Sequence, residues 1–176
     1  MLDFFVYGTL LDDEVRALVL GRDAPVAAAT LAGFRRVPVA GHSFPVVIVD
    51  PRGRVEGALL RDADLAEAAR LSYFEGPDYE AVRRPLAGAD GTGAEAWLFV
   101  PAPRRPFAPG LRPRPGPWDL VAWQRCHKAA YMRGLRRAMA APSKIVIAEL
   151  RQGWQERARQ TAKSDAPGAR PQFGRA

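Results

Sequence analysis

One cysteine, Cys126, and two histidines, His42 and His127, are all that the 176 residues offer in thiol or imidazole chemistry. A lone cysteine cannot close a disulfide within the chain, and two histidines are too few and too far apart to suggest a zinc site. No apolar run approaches the ~20 residues that a membrane-spanning helix needs. The chain does not open on a basic stretch followed by an apolar one, so no secretory leader is legible and the cytoplasm is the expected location. A GxxxxGK[ST] phosphate loop is missing, and so is any recognised RNA- or DNA-binding signature; nucleic acid is not an expected partner. What remains is ordinary. With 48% hydrophobic and 26% charged residues, the chain has the composition of a soluble globular protein, and its length suits one domain with a sizeable core.

The net charge of +7 is unevenly spread. Residues 104–176 hold sixteen Lys or Arg against four Asp or Glu, whereas residues 1–103 hold ten against fifteen. The basic character therefore belongs to the C-terminal part. It has two readings: a surface that attracts an anionic partner, or a solvated tail.

Short strands and sparse helices make up the first hundred residues. Residues 2–7 are apolar and β-rich. Asp12, Asp13 and Glu14 precede Val15, Leu18 and Val19 at helical spacing, and Gly21 is a natural stop. Strands are expected over 26–34, 45–49 and 55–60, and the turn-forming Asp50-Pro51-Arg52-Gly53 predicts a hairpin between the last two. Asp64 and Glu67 fit a capping box opening a helix that runs to about Leu71, which would leave Glu75 just past its end. Residues 80–86 and 94–100 read as a second hairpin.

The composition shifts at Pro101, with further prolines at 103, 106, 109, 113, 115 and 117. Such a stretch forms neither helix nor ladder and is expected as a linker or a strap over the surface. Beyond it, Asp119 caps a helix whose apolar face holds Trp123, His127, Ala130, Tyr131, Gly134, Leu135 and Ala138, opposite Arg125, Lys128, Arg133 and Arg136. Ile147, Leu150 and Trp154 mark another amphipathic segment. The expected organisation is thus a body over 1–100, a Pro-rich strap over 101–117, a basic helical extension over 118–160 and a disordered tail over 161–176.

Two motifs carry chemistry. Phe5-Val6-Tyr7-Gly8-Thr9-Leu10 reads as a buried strand entering a tight loop whose N–H groups can face an anion. Tyr73-Phe74-Glu75-Gly76-Pro77-Asp78-Tyr79 sets one carboxylate among aromatic rings. Desolvation there should raise its pKa toward neutrality, which suits a group that both takes and gives a proton. On residue type alone, Glu75 reads sooner as a loop carboxylate paired with Arg83 or Arg84 than as a catalytic group. Tyr7 could be a core aromatic with its hydroxyl at the rim, and Tyr79, four residues after Glu75, is placed to hydrogen-bond the same site. His42 and Ser43 are candidates for the pocket mouth, though a lone loop histidine is more often solvated. His127 reads as a packed histidine, and Cys126 lacks the partners of a nucleophile.

These motifs, with Phe34-Arg35-Arg36-Val37, Ser43-Phe44-Pro45 and Gly53-Arg54-Val55-Glu56-Gly57 between them, resemble the γ-glutamylcyclotransferase-like (AIG2-like) family over roughly residues 2–100. The strand pattern by itself implies an α+β fold, either a small β-barrel or a strongly curved sheet with short helices; the resemblance implies a compact mixed barrel with its pocket at the mouth. It further implies that Glu75 is the catalytic acid and base, that Tyr7, Gly8, Thr9, Leu10 and Tyr79 bind the substrate, and that this substrate is a γ-glutamyl amine or amino acid. Its own α-amine attacks the γ-carbonyl, releasing 5-oxoproline, with no cofactor or metal. The alternative is a non-catalytic ligand-binding or regulatory protein of the same fold that docks partners through its basic C-terminal part.

Overall fold

The computed structural model describes residues 1–88, 92–102 and 111–164. Five strands close into a barrel in the order β1-β3-β2-β4-β5. They are β1 (Leu2–Val6), β2 (Val26–Pro38), β3 (Pro45–Ala63), β4 (Tyr79–Gly88) and β5 (Gly93–Pro101). Only the β1–β5 seam is parallel, with Phe4 opposite Trp97; the other seams are antiparallel. Among the described residues five α-helices pack around this barrel: α1 (Asp13–Leu20), α2 (Leu65–Glu75), α3 (Leu120–Cys126), α4 (Lys128–Ala140) and α5 (Lys144–Ser164). The α+β mixed barrel expected from the sequence is therefore present. No helix among the described residues is long and apolar enough to cross a membrane.

Apart from Asp3, strand β1 is apolar because both of its faces are covered. Phe5 and Tyr7 point with Leu31, Val55, Leu59, Leu86 and Leu98 into a cluster drawn from all five strands, which fills the barrel. The alternate residues Phe4 and Val6 belong to a second cluster, shared with Val15 and Val19 of α1, Leu71 of α2, Leu135 of α4 and Trp154 of α5. The period of two along a strand produces this division.

One turn expectation fails. Residues 45–49 and 55–60 are not two strands of a hairpin but parts of the single strand β3, which pairs with β2 from Pro38↔Pro45 to Val26↔Leu60. The signal at 50–53 makes an irregularity where the register shifts between Ala32 and Phe34. Asp50 accepts a hydrogen bond from the Arg52 N–H at 3.2 Å, which is local turn chemistry without chain reversal. Gly53 is required there, since a Cβ would lie 2.3 Å from the Phe34 carbonyl oxygen. The reversal occurs instead in the segment 39–44, between β2 and β3.

The C-terminal part is joined to the barrel. Of the Pro-rich segment, expected to form no ladder, Pro101 ends β5 opposite Tyr79, residues 103–110 lie outside the described residues, and residues from 111 on run along the end of β2, with a bridge between Val39 and Pro113 and Leu111 buried beside Val37 and Val46. Asp119 caps α3 by accepting the Ala122 N–H at 2.7 Å. The single helix expected beyond it is two, because His127 departs from helical geometry and separates α3 from α4. His127 is consequently exposed instead of packed. Lys128, expected toward solvent, turns back onto α1 and forms ion pairs at 2.8 Å with Asp12 and Glu14. Trp154 of α5 meets Phe4 and Trp97 edge-on, each at 5.2 Å between ring centres, and its indole N–H donates to Ser72 Oγ. Helix α5 continues to Ser164, so the first residues of the expected tail are helical; residues 165–176 lie outside the described residues.

Candidate active site

The loop after β1 turns on Gly8 into a single 3-10 turn, Thr9–Leu11, closed by Leu11 N–H to Gly8 O and Asp12 N–H to Thr9 O, each 3.0 Å. The leading N–H groups of such a turn have no partner within it and are left for something else. Side chains fix the loop from behind. Arg16, buried and ion-paired with Asp13, donates to the carbonyls of Leu10 and Leu11 at 3.0 and 3.2 Å. Arg36 of β2 donates to the Tyr7 carbonyl at 2.8 Å.

Asp12 then caps α1, accepting from the N–H groups of Glu14 and Val15. Its carboxylate is almost fully buried and also receives Lys128 and Gln124 at 2.8 Å. Burial alone would raise its pKa; the hydrogen bonds from Lys128, Gln124 and Val15 outweigh that and lower it.

Glu75 is the last residue of α2, which runs one turn further than the sequence reading placed it. Gly76 ends the helix with φ 78°, a conformation that suits glycine. Instead of turning to Glu75, Arg83 pairs with Glu95 at 3.1 Å, and Arg84 donates to the Arg83 carbonyl. Glu75 instead faces a cavity of about 90 Å³ bounded by Phe4–Leu10, Phe44, Pro45, Leu71, Phe74, Tyr79, Phe99 and Tyr131. The surrounding protein strips water from its carboxyl group and pushes the pKa up to about 8. The half-buried residue keeps access to the cavity.

All six site residues named from the sequence, Tyr7, Gly8, Thr9, Leu10, Glu75 and Tyr79, thus border one space. Their environments differ from expectation in one respect. The Tyr7 hydroxyl is committed to the Phe99 carbonyl at 2.7 Å, so this residue offers the cavity its ring and backbone. Burial raises the Tyr7 pKa well above its usual value, with Glu75 and Tyr79 adding to the effect. Tyr79 is likewise held far above its ordinary value, by burial and then by Glu75. Both phenols stay protonated at neutral pH.

His42 does not border the cavity; its ring lies tilted on Phe44, 4.7 Å between centres. Ser43 faces away as well, accepting the Trp118 indole N–H on its carbonyl at 2.8 Å and lying 3.4 Å from the Trp123 indole nitrogen through Oγ.

Tyr131 was not singled out as a site residue by sequence reasoning, which put it on the apolar face of a helix in the extension. Its ring does pack edge-on against Trp123, at 5.3 Å, but its hydroxyl reaches the cavity and lies 3.3 Å from Thr9 Oγ1. Burial raises its pKa to about 12. A tyrosine in an otherwise aliphatic and tryptophan-lined helix face was the available signal, since a buried hydroxyl needs a polar partner.

With this geometry in view, comparisons with known proteins give a consistent result. The family model described as gamma-glutamyl cyclotransferase, AIG2-like, matches residues 4–120. AIG2-like protein A of Arabidopsis thaliana is 27% identical over 143 residues, covering 80% of this chain and 82% of its own. Protein AIG2 C of the same plant is 26% identical, covering 77% and 79%. Among solved structures, an Arabidopsis thaliana protein studied in solution superposes with TM-score 0.57 at 22% identity over 99% of this chain and 95% of its own. A structure named gamma-glutamyl cyclotransferase superposes with TM-score 0.52 at 14% identity, over 77% and 86%; at that identity the likeness concerns the fold. The solution structure spans this chain nearly end to end, so the fold likeness extends past residue 100, where the sequence resemblance was read to stop. The chain belongs to the gamma-glutamyl cyclotransferase, AIG2-like family.

Proposed function

We propose that the protein is a cyclotransferase that releases 5-oxoproline from a γ-glutamyl amine or amino acid, with Glu75 as its general acid and base. The observation that carries this reading is the placement of one desolvated carboxyl, its pKa raised to about 8, across a small cavity from the backbone of Gly8, Thr9 and Leu10.

The reaction divides naturally between these parts. The substrate's α-carboxylate docks against the N–H groups at Gly8–Leu10, which are already fixed by the 3-10 turn and by Arg16 and Arg36 behind it. Ionised Glu75 accepts a proton from the α-ammonium. The freed amine attacks the γ-carbonyl carbon of the same molecule, and a new C–N bond closes the five-membered ring. As the tetrahedral centre collapses, the bond to the departing amine breaks and Glu75 returns its proton to that nitrogen; the ring nitrogen, left with one proton too many, gives it up to the departing amine, which leaves as an ammonium ion. The nucleophile belongs to the substrate, so the protein's work is to hold the folded conformer and move protons.

A pKa near 8 suits both halves of this cycle. A carboxylate of ordinary acidity would be too weak a base toward an ammonium ion, whereas one near 8 is better matched to it and still ionises at mildly alkaline pH. Tyr79 and Tyr131, protonated at neutral pH, line the space as neutral hydrogen-bond donors. The test is 5-oxoproline release from γ-glutamyl compounds, with Glu75→Gln alongside.

A further inference from the structure

The proposed site is shaped for a carboxylate, yet among the described residues its wall carries no cation: none of the fifteen that line the cavity is Lys, Arg or His. A carboxylate entering there gives up water and gains backbone N–H and hydroxyl dipoles, but no full charge from the described lining residues. A full positive charge is nevertheless attached to that wall from outside. The half-buried Arg36 donates through Nη1 to the Tyr7 carbonyl at 2.8 Å and to the Glu56 carbonyl at 3.3 Å. Its guanidinium lies over the Trp118 ring, 5.3 Å from the centre, and the Trp118 indole N–H is itself tied to the Ser43 carbonyl at 2.8 Å. Glu56 and Asp119 act on it through space, but among the described residues no carboxylate comes within ion-pair distance of it.

The peptide between Tyr7 and Gly8 is trans, so its C=O and N–H point in opposite directions. A cation on the oxygen side draws electron density away from the nitrogen side and makes the Gly8 N–H a stronger donor. Gly8 borders the cavity and has only backbone to present to it. We propose that Arg36 is the counter-charge for the substrate's α-carboxylate, acting through the Tyr7–Gly8 peptide. It is a positioning residue that selects substrates carrying a free α-carboxylate. Trp118 packs against the guanidinium, a contact that the planar group of arginine favours. This inference rests on the cyclotransferase reading above.

The expected size follows from geometry. An anion on the Gly8 N–H would sit roughly 7–8 Å from the guanidinium. At an effective dielectric constant of about 20, that separation corresponds to a ten- to hundredfold preference for a charged over a neutral group.

The experiment compares kcat/KM for a γ-glutamyl substrate with that of its analogue bearing an α-carboxamide, in the wild type, Arg36→Gln and Arg36→Lys, with melting temperatures to establish folding. Gln keeps a donor for the Tyr7 carbonyl without the charge; Lys keeps the charge without the planar fork. The wild type should prefer the carboxylate at least tenfold. Arg36→Gln should lose most of that preference through KM, with kcat held within about threefold, while Arg36→Lys should retain it within about threefold. A purely structural role is the contradicting result, either as an unchanged preference in Arg36→Gln or as equal loss of preference in Arg36→Lys. The Lys arm decides the matter even where the Gln variant does not fold. A wild type that turns over neither compound overturns the cyclotransferase reading and this inference together, whereas a turning-over wild type with an indifferent Arg36 overturns this inference alone.

Discussion

Thr9 Oγ1 and the Tyr131 hydroxyl lie 3.3 Å apart although 122 residues separate them along the chain. One belongs to the loop proposed to hold the substrate, the other to a helix beyond the matched family region of residues 4–120. The same loop is tied to the C-terminal helices a second time, where Lys128 of α4 and Gln124 of α3 both reach Asp12 at 2.8 Å. The C-terminal helices are therefore part of the cavity's wall and of the scaffold that holds its loop, and their basic residues do not form a detached tail.

Removing that hydroxyl tests the contact. Tyr131→Phe keeps the ring on Trp123 and deletes the bond to Thr9, at an expected cost of about 1 kcal/mol in stability. KM for the γ-glutamyl substrate should rise severalfold, with little change in kcat. Steady-state kinetics and denaturant melts check both; an unchanged KM would remove Tyr131 from the site.

The raised pKa of Glu75 has consequences for both activity and stability. Because a base must be ionised, kcat/KM should climb with pH and level off above about 8. The substrate's ammonium favours the carboxylate, so the corresponding limb in kcat should lie at lower pH. For stability the sign is reversed from that of a salt-bridged acid. The folded pKa lies above the unfolded value of 4.5, so the folded state holds the proton more tightly. Stability contributed by this group is full below 4.5 and declines as pH rises toward 8. In Glu75→Gln that decline should vanish, as thermal melts across pH 4 to 9 would show.

Asp12 behaves oppositely. Its folded pKa is lowered from 3.8, so its contribution is present above 3.8 and is lost as pH falls through the lower, folded value. Lys128→Met leaves the buried carboxylate without its cation and should cost about 1–3 kcal/mol at neutral pH. It should also make the protein less sensitive to acid, because less Asp12 stabilisation is left to lose. Melts of the variant and wild type at pH 3 and 7 separate these outcomes.

Local chemistry was the most legible part of the sequence. The capping box at Asp64 and Glu67, the cap at Asp119 and the stop at Gly21 each act within a few residues, and each is present. The turn at 50–53 was read correctly as local bending but wrongly as reversal. Whether a bend reverses the chain depends on the partner strand, and β2 follows β3 through the irregularity. The six candidate residues that border the cavity were visible because the strand-loop and helix-end motifs lie in short contiguous stretches. Tyr131, which also borders it, and Arg36, to which we assign a positioning role, were not singled out, since their contacts are with residues far away in sequence. The break at His127 was likewise hidden, because helical periodicity runs across it without a proline or glycine to mark the interruption.

The most direct measurement is 5-oxoproline release by mass spectrometry from a panel of γ-glutamyl amino acids, γ-glutamylamines and glutathione, for the wild type and Glu75→Gln. A general acid and base at Glu75 requires release from at least one compound by the wild type, and a loss of at least a hundredfold in a variant that still folds and still binds. Release by Glu75→Gln within a few-fold of the wild type would contradict that role, and no release from any compound would contradict the cyclotransferase itself.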